Sequence, residues 1–166
     1  MMRKILRSIS VIIVWAVMVS PCFAVGLGPM RGTMDRRQIA LGGITIGTTK
    51  AAVRHIYGTP TSVEENGLLY IYGTSFKIWF NPGSERGLTE AGAYTIVTTA
   101  NNGIATPRGV TVGMTPKTLD NIYGAADRVE DNHDGSTDYE YWDKDYHATV
   151  LCFRVRDDVI RSIIWY

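Results

Sequence analysis

One stretch of this chain is written twice, and that repetition constrains the fold more than any other feature. Residues 43–66 (GITIGTTKAAVRHIYGTPTSVEEN) and 109–132 (GVTVGMTPKTLDNIYGAADRVEDN) are identical at ten positions, at a constant offset of 66. The identities include Gly47/Gly113, Thr49/Thr115, Tyr57/Tyr123 and Gly58/Gly124, and Ile44/Val110, Ile46/Val112 and Val53/Leu119 are like for like. A looser match follows, with YIYG at 70–73 facing YEYW at 139–142. Chance does not produce such agreement. The chain reads as a tandem duplication, repeat 1 at 43–99 and repeat 2 at 109–166, joined by a linker at 100–108.

Each shared residue has a physical job. Thr49 and Thr115 stand where a threonine oxygen can accept from free amides of a first helical turn. Pro116 follows at the first helical position, where its missing N–H costs nothing. Val53, Ile56 and Tyr57, matched by Leu119, Ile122 and Tyr123, form an i, i+3, i+4 apolar face. Gly58 and Gly124 supply the left-handed residue that ends a helix, and Gly47 and Gly113 punctuate the approach to it. Helices of about eight residues do not persist alone in water, so they must pack on something. LLYIY (68–72), FKIWF (76–80) and YTIVTT (94–99) read as three strands after the first helix. DYEYW (138–142), HATVLCFRV (147–155) and VIRSIIWY (159–166) read as three after the second, with a tight turn at Asp157-Asp158. The expected fold is α+β: two tandem repeats, each a short helix followed by a three-stranded antiparallel meander.

Residues 1–24 do not fit that plan. Arg3, Lys4 and Arg7 precede an apolar run from Val11 to Val19, and Ser20-Pro21 and Ala24 close the segment. This is the layout of a secretory signal peptide cleaved after Ala24, and the run is too short to span a bilayer. Cleavage there removes Arg3, Lys4 and Arg7 from the 17 basic side chains and none of the 16 acidic ones, so the mature chain is close to neutral. That balance gives no electrostatic footprint for nucleic acid and no polybasic membrane anchor. No stable membrane span is expected after cleavage. Cys22 falls in the leader, and Pro21 before it spoils a lipid-attachment signal, leaving Cys152 as a lone buried thiol. The expected location is secreted or periplasmic. Residues 25–42 read as an N-terminal segment, partly disordered or an edge strand.

The pattern G-[IV]-T-[IV]-G-x-T, a short helix ending in Tyr-Gly and then a tyrosine-rich strand, resembles a known repeat. It is similar to that of the β-lactamase inhibitor proteins and of the small outer-membrane-assembly lipoproteins (SmpA/OmlA type). Gly113-Met114-Thr115 and Tyr123-Gly124 carry the likeness best, followed by Gly47-Thr48-Thr49, Tyr57-Gly58 and Pro60. It covers residues 43–166. The inhibitors carry disulfides within their repeats and this chain has none; the lipoproteins carry one repeat and a good lipidation signal. The resemblance implies an extracytoplasmic, non-enzymatic interaction scaffold, and not either named activity.

Candidate chemistry is sparse. No nucleophile elbow, phosphate loop, dinucleotide fingerprint or zinc-helix motif is present, so no catalytic residue, metal or cofactor is assigned. His55, His133 and His147 are scattered, and the repeat partner of His55 is Asn121. The acidic loop Glu130–Gly135 has calcium-like spacing, but Tyr141 stands where a bidentate glutamate is required. Aromatics carry the sharper expectation. Tyr70 and Tyr72 share a strand face, as do Tyr139 and Tyr141, and with Trp142 they are the candidate partner-binding residues if they face away from the helices. The competing reading makes the tyrosines framework pairs. The sequence points to a protein-interaction module of the bacterial cell envelope, scaffold or enzyme-inhibitor-like, whose partner is another extracytoplasmic protein. The alternative is a small-molecule or glycan binder using an aromatic sheet face or the groove between repeats.

Overall fold

The computed structural model describes residues 32–83, 92–145 and 149–166 of the chain; the leader, Cys22, residues 25–31 and His147 lie outside the described residues. Helix α1 (Lys50–Tyr57) is followed by strands β1 (Ser62–Glu64), β2 (Leu69–Tyr72), β3 (Phe76–Asn81) and β4 (Gly92–Thr98). Helix α2 (Pro116–Tyr123) is followed by β5 (Arg128–Asp131), β6 (Thr137–Trp142), β7 (Val150–Arg156) and β8 (Val159–Trp165). All eight strands join one antiparallel sheet in the order β1-β2-β3-β4-β8-β7-β6-β5.

This overturns the expected α+β architecture of two repeats, each a helix and a three-stranded meander. The fold of the described residues is mainly β, a single eight-stranded sheet with two α-helices of eight residues. Six strands lie at the segments read from the sequence; β1 and β5 are additional. Both are short and polar, with no buried residue, so they carry no period-two apolar signal. They form the sheet's outer edges, where charge and shortness discourage pairing with another chain. The meanders are also not separate units. The last strand of each half pairs with the other through Ile96↔Trp165, Val97↔Ile164 and Thr98↔Ile163, which no local pattern encodes.

The repeated residues dock the helices onto this sheet. Gly47 and Gly113 have φ of 77° and 97°, a region that favours glycine. Their amides donate to the carbonyls of Ala93 and Ile160, 2.9 Å in each case. Both contacts fall beside a β-bulge. The β3–β4 register skips Tyr94 and the β7–β8 register skips Arg161, so each strand bends where a helix begins. Thr49 caps α1 as expected, its Oγ1 accepting from the Ala52 amide at 3.2 Å. Thr115 caps α2 without a backbone bond; its hydroxyl meets the Thr118 hydroxyl at 3.3 Å.

A third layer component was not anticipated. Met34, Ile39, Leu41 and Ile44 are buried in the core together with Val110 and Val112, which follow the linker. The Trp165 indole N–H donates to the Ile39 carbonyl at 2.9 Å, and the Gly42 amide donates to the Ala105 carbonyl at 2.8 Å. The segment before repeat 1 therefore helps to cover the sheet. Its only described ladder contacts are single bridges, Met34↔Asp143 and Leu41↔Ile44, rather than an edge strand.

Candidate functional site

Alternation along the strands divides the side chains between two faces. Across the sheet, Tyr70, Ile78, Ile96, Trp165 and Leu151 are successive cross-strand neighbours on one face. The Arg54 guanidinium of α1 lies 5.0 Å over the Tyr70 ring, which identifies this face as the helix side. The candidate tyrosines are on it. Tyr70 is buried and meets Phe80 edge-on at 4.8 Å. Tyr72 packs 5.4 Å from Tyr57, and its hydroxyl donates to the Gly58 carbonyl at 3.2 Å. Tyr141 is fully buried between Tyr123 and Phe153 and donates to the Gly124 carbonyl at 3.1 Å. Tyr139 is half-buried against the same core. Burial pushes the Tyr57, Tyr72, Tyr123 and Tyr141 hydroxyls above the ordinary phenol range, as expected for groups kept neutral under a helix layer. Tyr70, Tyr72, Tyr139 and Tyr141 therefore sit among framework contacts, the competing reading for the tyrosines, and of the five candidates Trp142 alone lies on the other face.

Among the described residues, the opposite face carries no helix. Its central row reads Ile71, Lys77, Val97, Ile164, Cys152, Glu140 and Arg128 across seven strands. Ile71, Val97 and Ile164 are half-buried there. Trp79 pairs with Thr95, and Trp142 pairs with Val150. Tyr166 joins the same row as Trp142, because it and Val150 exchange backbone hydrogen bonds of 2.7 and 3.1 Å. Trp79 and Tyr166 were not singled out from the sequence. The signal was present: in FKIWF the apolar Phe76, Ile78 and Phe80 alternate with Lys77 and Trp79, so the face bearing the lysine is the open one.

Carboxylates organise this surface. Glu140 is only 6% exposed, yet it receives three groups. Its Oε2 accepts from the Trp142 indole N–H at 3.0 Å, its Oε1 accepts from the Tyr166 hydroxyl at 3.3 Å, and Arg128 approaches at 3.6 Å. Burial, followed by the Glu140 charge, pushes the Tyr166 hydroxyl up to about 12. Asp138 takes a two-pronged contact from Arg154, at 2.8 and 2.7 Å, which holds its carboxyl below the usual range. The Trp79 indole N–H donates to Glu65 at 3.2 Å. Cys152 lies buried between these groups, and burial with the neighbouring Asp138 and Glu140 charges raises its thiol to about 12, the opposite of nucleophile activation.

Other candidate sites do not assemble. His55 is exposed on α1 and His133 is exposed in the β5–β6 loop, in different halves of the sheet. Among the described residues no three His, Cys, Asp or Glu side chains converge as metal ligands. In the acidic loop, Asp134 accepts from the Ser136 amide and hydroxyl, and Asp131 accepts from Thr137. Two pockets, one beside Thr49 and Phe80 and one beside Arg36 and Ile46, hold about 280 Å³ each, at the lower edge of the roughly 300–1,000 Å³ typical of small-molecule sites. Among the described residues no helix is long and apolar enough to cross a membrane. Compared with protein-family models, curated proteins and solved structures, the chain matches none.

Proposed function

We propose that this protein is an exported, non-enzymatic recognition module of the cell envelope that takes its partner on the open face of the sheet. One observation carries the reading: the face of the sheet that no helix covers among the described residues presents Trp79, Trp142 and Tyr166 with the aliphatic Ile71, Val97 and Ile164. Large aromatic side chains that remain accessible on a rigid sheet are what interfaces use as anchors. The leader-like segment 1–24 supports a location outside the cytoplasm, secreted or periplasmic, with no lipid at Cys22. The resemblance to the inhibitor and assembly-lipoprotein repeats favours a scaffold or inhibitor-like role with a protein partner.

Capture from the native envelope fraction tests the reading, with the Trp79→Ala/Trp142→Ala double variant as control. A component that binds the parent protein and is lost with the variant supports it. Equal capture by both proteins removes the open face as the working surface. The glycan-binding alternative uses the same face, where Trp79, Tyr166 and Trp142 stand on alternate strands.

A further inference from the structure

Trp79, Tyr166 and Trp142 occupy one row that runs across the strands. Trp79 lies opposite Thr95 on the neighbouring β4, and Trp142 lies opposite Val150 on β7. Tyr166 prolongs β8 between them, bonded to Val150 on one side and one residue beyond the Ile96↔Trp165 pair on the other. In the strand order β3-β4-β8-β7-β6, the three rings therefore stand on alternate strands. Two strand spacings are about 9.6 Å at the backbone, close to the roughly 10 Å disaccharide repeat of a β-1,4-linked glycan, where every second sugar presents the same face.

We propose that the open face binds a β-1,4-linked glycan laid across the strands, with Trp79, Tyr166 and Trp142 each stacking on every second sugar. The inference rests on the open face being the working surface. The polar edges of all three rings are engaged, by Glu65 for Trp79 and by Glu140 for the other two, so the rings offer apolar surface. Such surface suits the C–H face of a pyranose. Charge complementarity points the same way. Arg128 is shared by Glu130 and Glu140 and Arg154 pairs with Asp138, so with Lys77 on the same face three cations stand against these three carboxylates. A neutral, hydroxylated chain matches it. Thr95, half-buried between Trp79 and Tyr166, supplies a hydroxyl within the row.

The test is co-sedimentation of the purified protein with insoluble chitin, cellulose and peptidoglycan sacculi, with amylose as the α-1,4 control, followed by tryptophan-fluorescence titration with chitin oligomers. Binding to at least one β-1,4 polymer and not to amylose is expected. The chitin hexamer, which reaches all three rings, should bind at least tenfold tighter than the dimer, which reaches one. Trp79→Ala and Trp142→Ala should each weaken hexamer binding about five- to tenfold. Tyr166→Ala, at a residue 44% exposed next to the C-terminal end of the last strand, gives a third variant with the same weakening expected, and the unfolding midpoint of each variant is measured alongside. Equal binding of amylose, no dependence on chain length, or affinity unchanged in folded variants overturns the proposal. If no glycan binds while a captured envelope protein still requires both tryptophans, the glycan assignment fails and the open face stands. If nothing captured requires them, both fail.

Discussion

On the helix side of the sheet, the hydroxyls of Tyr57, Tyr72 and Tyr141 end on the carbonyls of Gly42, Gly58 and Gly124, and that of Tyr123 ends on buried Thr106. On the open side, the polar ends of Trp79, Trp142 and Tyr166 reach the carboxylates of Glu65 and Glu140. The first set ties helix ends and linker segments to strands. The second set orients side chains within one surface. The same residue types therefore do different work: one group holds the layers together, and the other is held in place for something outside. Removing a helix-side ring should damage the fold, while removing an open-side ring should leave it standing.

The largest break in that comparison should come from Phe153→Ala. Phe153 is fully buried against Tyr123 and Tyr141, and its truncation should cost about 3–5 kcal/mol in denaturant unfolding. A cost under about 1 kcal/mol would mean that the helix side is not a packed core.

A smaller effect is expected at the open-side ion pair. Arg154→Ala leaves the Asp138 carboxylate, 8% exposed, without its partner. With the Arg154 side chain 42% exposed, screening reduces the loss to about 1–2 kcal/mol. Arg154 lowers the folded pKa of Asp138. The stabilisation is therefore complete above the unfolded carboxyl value and disappears as pH falls through the lowered folded value. Unfolding measured at neutral pH and again below that window should show the difference between parent and variant shrinking in acid.

The smallest effects separate the two helices. Thr49→Ala removes a bond to the Ala52 amide and should cost about 1 kcal/mol. Thr115→Ala removes only a hydroxyl–hydroxyl contact and should cost a few tenths of that. Equal losses in parallel urea titrations would show that both threonines cap alike.

Much of this arrangement was legible in the residues. The helices start and stop at the repeated threonines and glycines, because capping is local chemistry, and the apolar strands announce themselves through their alternation. Alternation also puts Tyr70 with Tyr72 and Tyr139 with Tyr141, but it does not say which side the helices take. The partners of the alternation do. Lys77, Asp138 and Glu140 interleave with the core-facing Ile78, Tyr139 and Tyr141, so the charged side is the uncovered one. The edge strands β1 and β5 and the core role of Met34, Ile39 and Leu41 were not legible. The edge strands bury nothing, and the segment GTMDRRQIALGG has no period of its own; its place is set by the sheet and linker it covers.

The division between the two faces is most directly tested by acrylamide quenching of three single-tryptophan proteins that retain Trp79, Trp142 or Trp165, the other tryptophans being replaced by Phe. Trp79 and Trp142 are half-buried on the open face, whereas Trp165 is fully buried and bonded to Ile39. The account predicts ready quenching of the first two and strong protection of the third in the folded protein, with all three equal in denaturant. Protection of Trp79 and Trp142 to the level of Trp165 in the folded protein would contradict it, because the sheet would then have no open face.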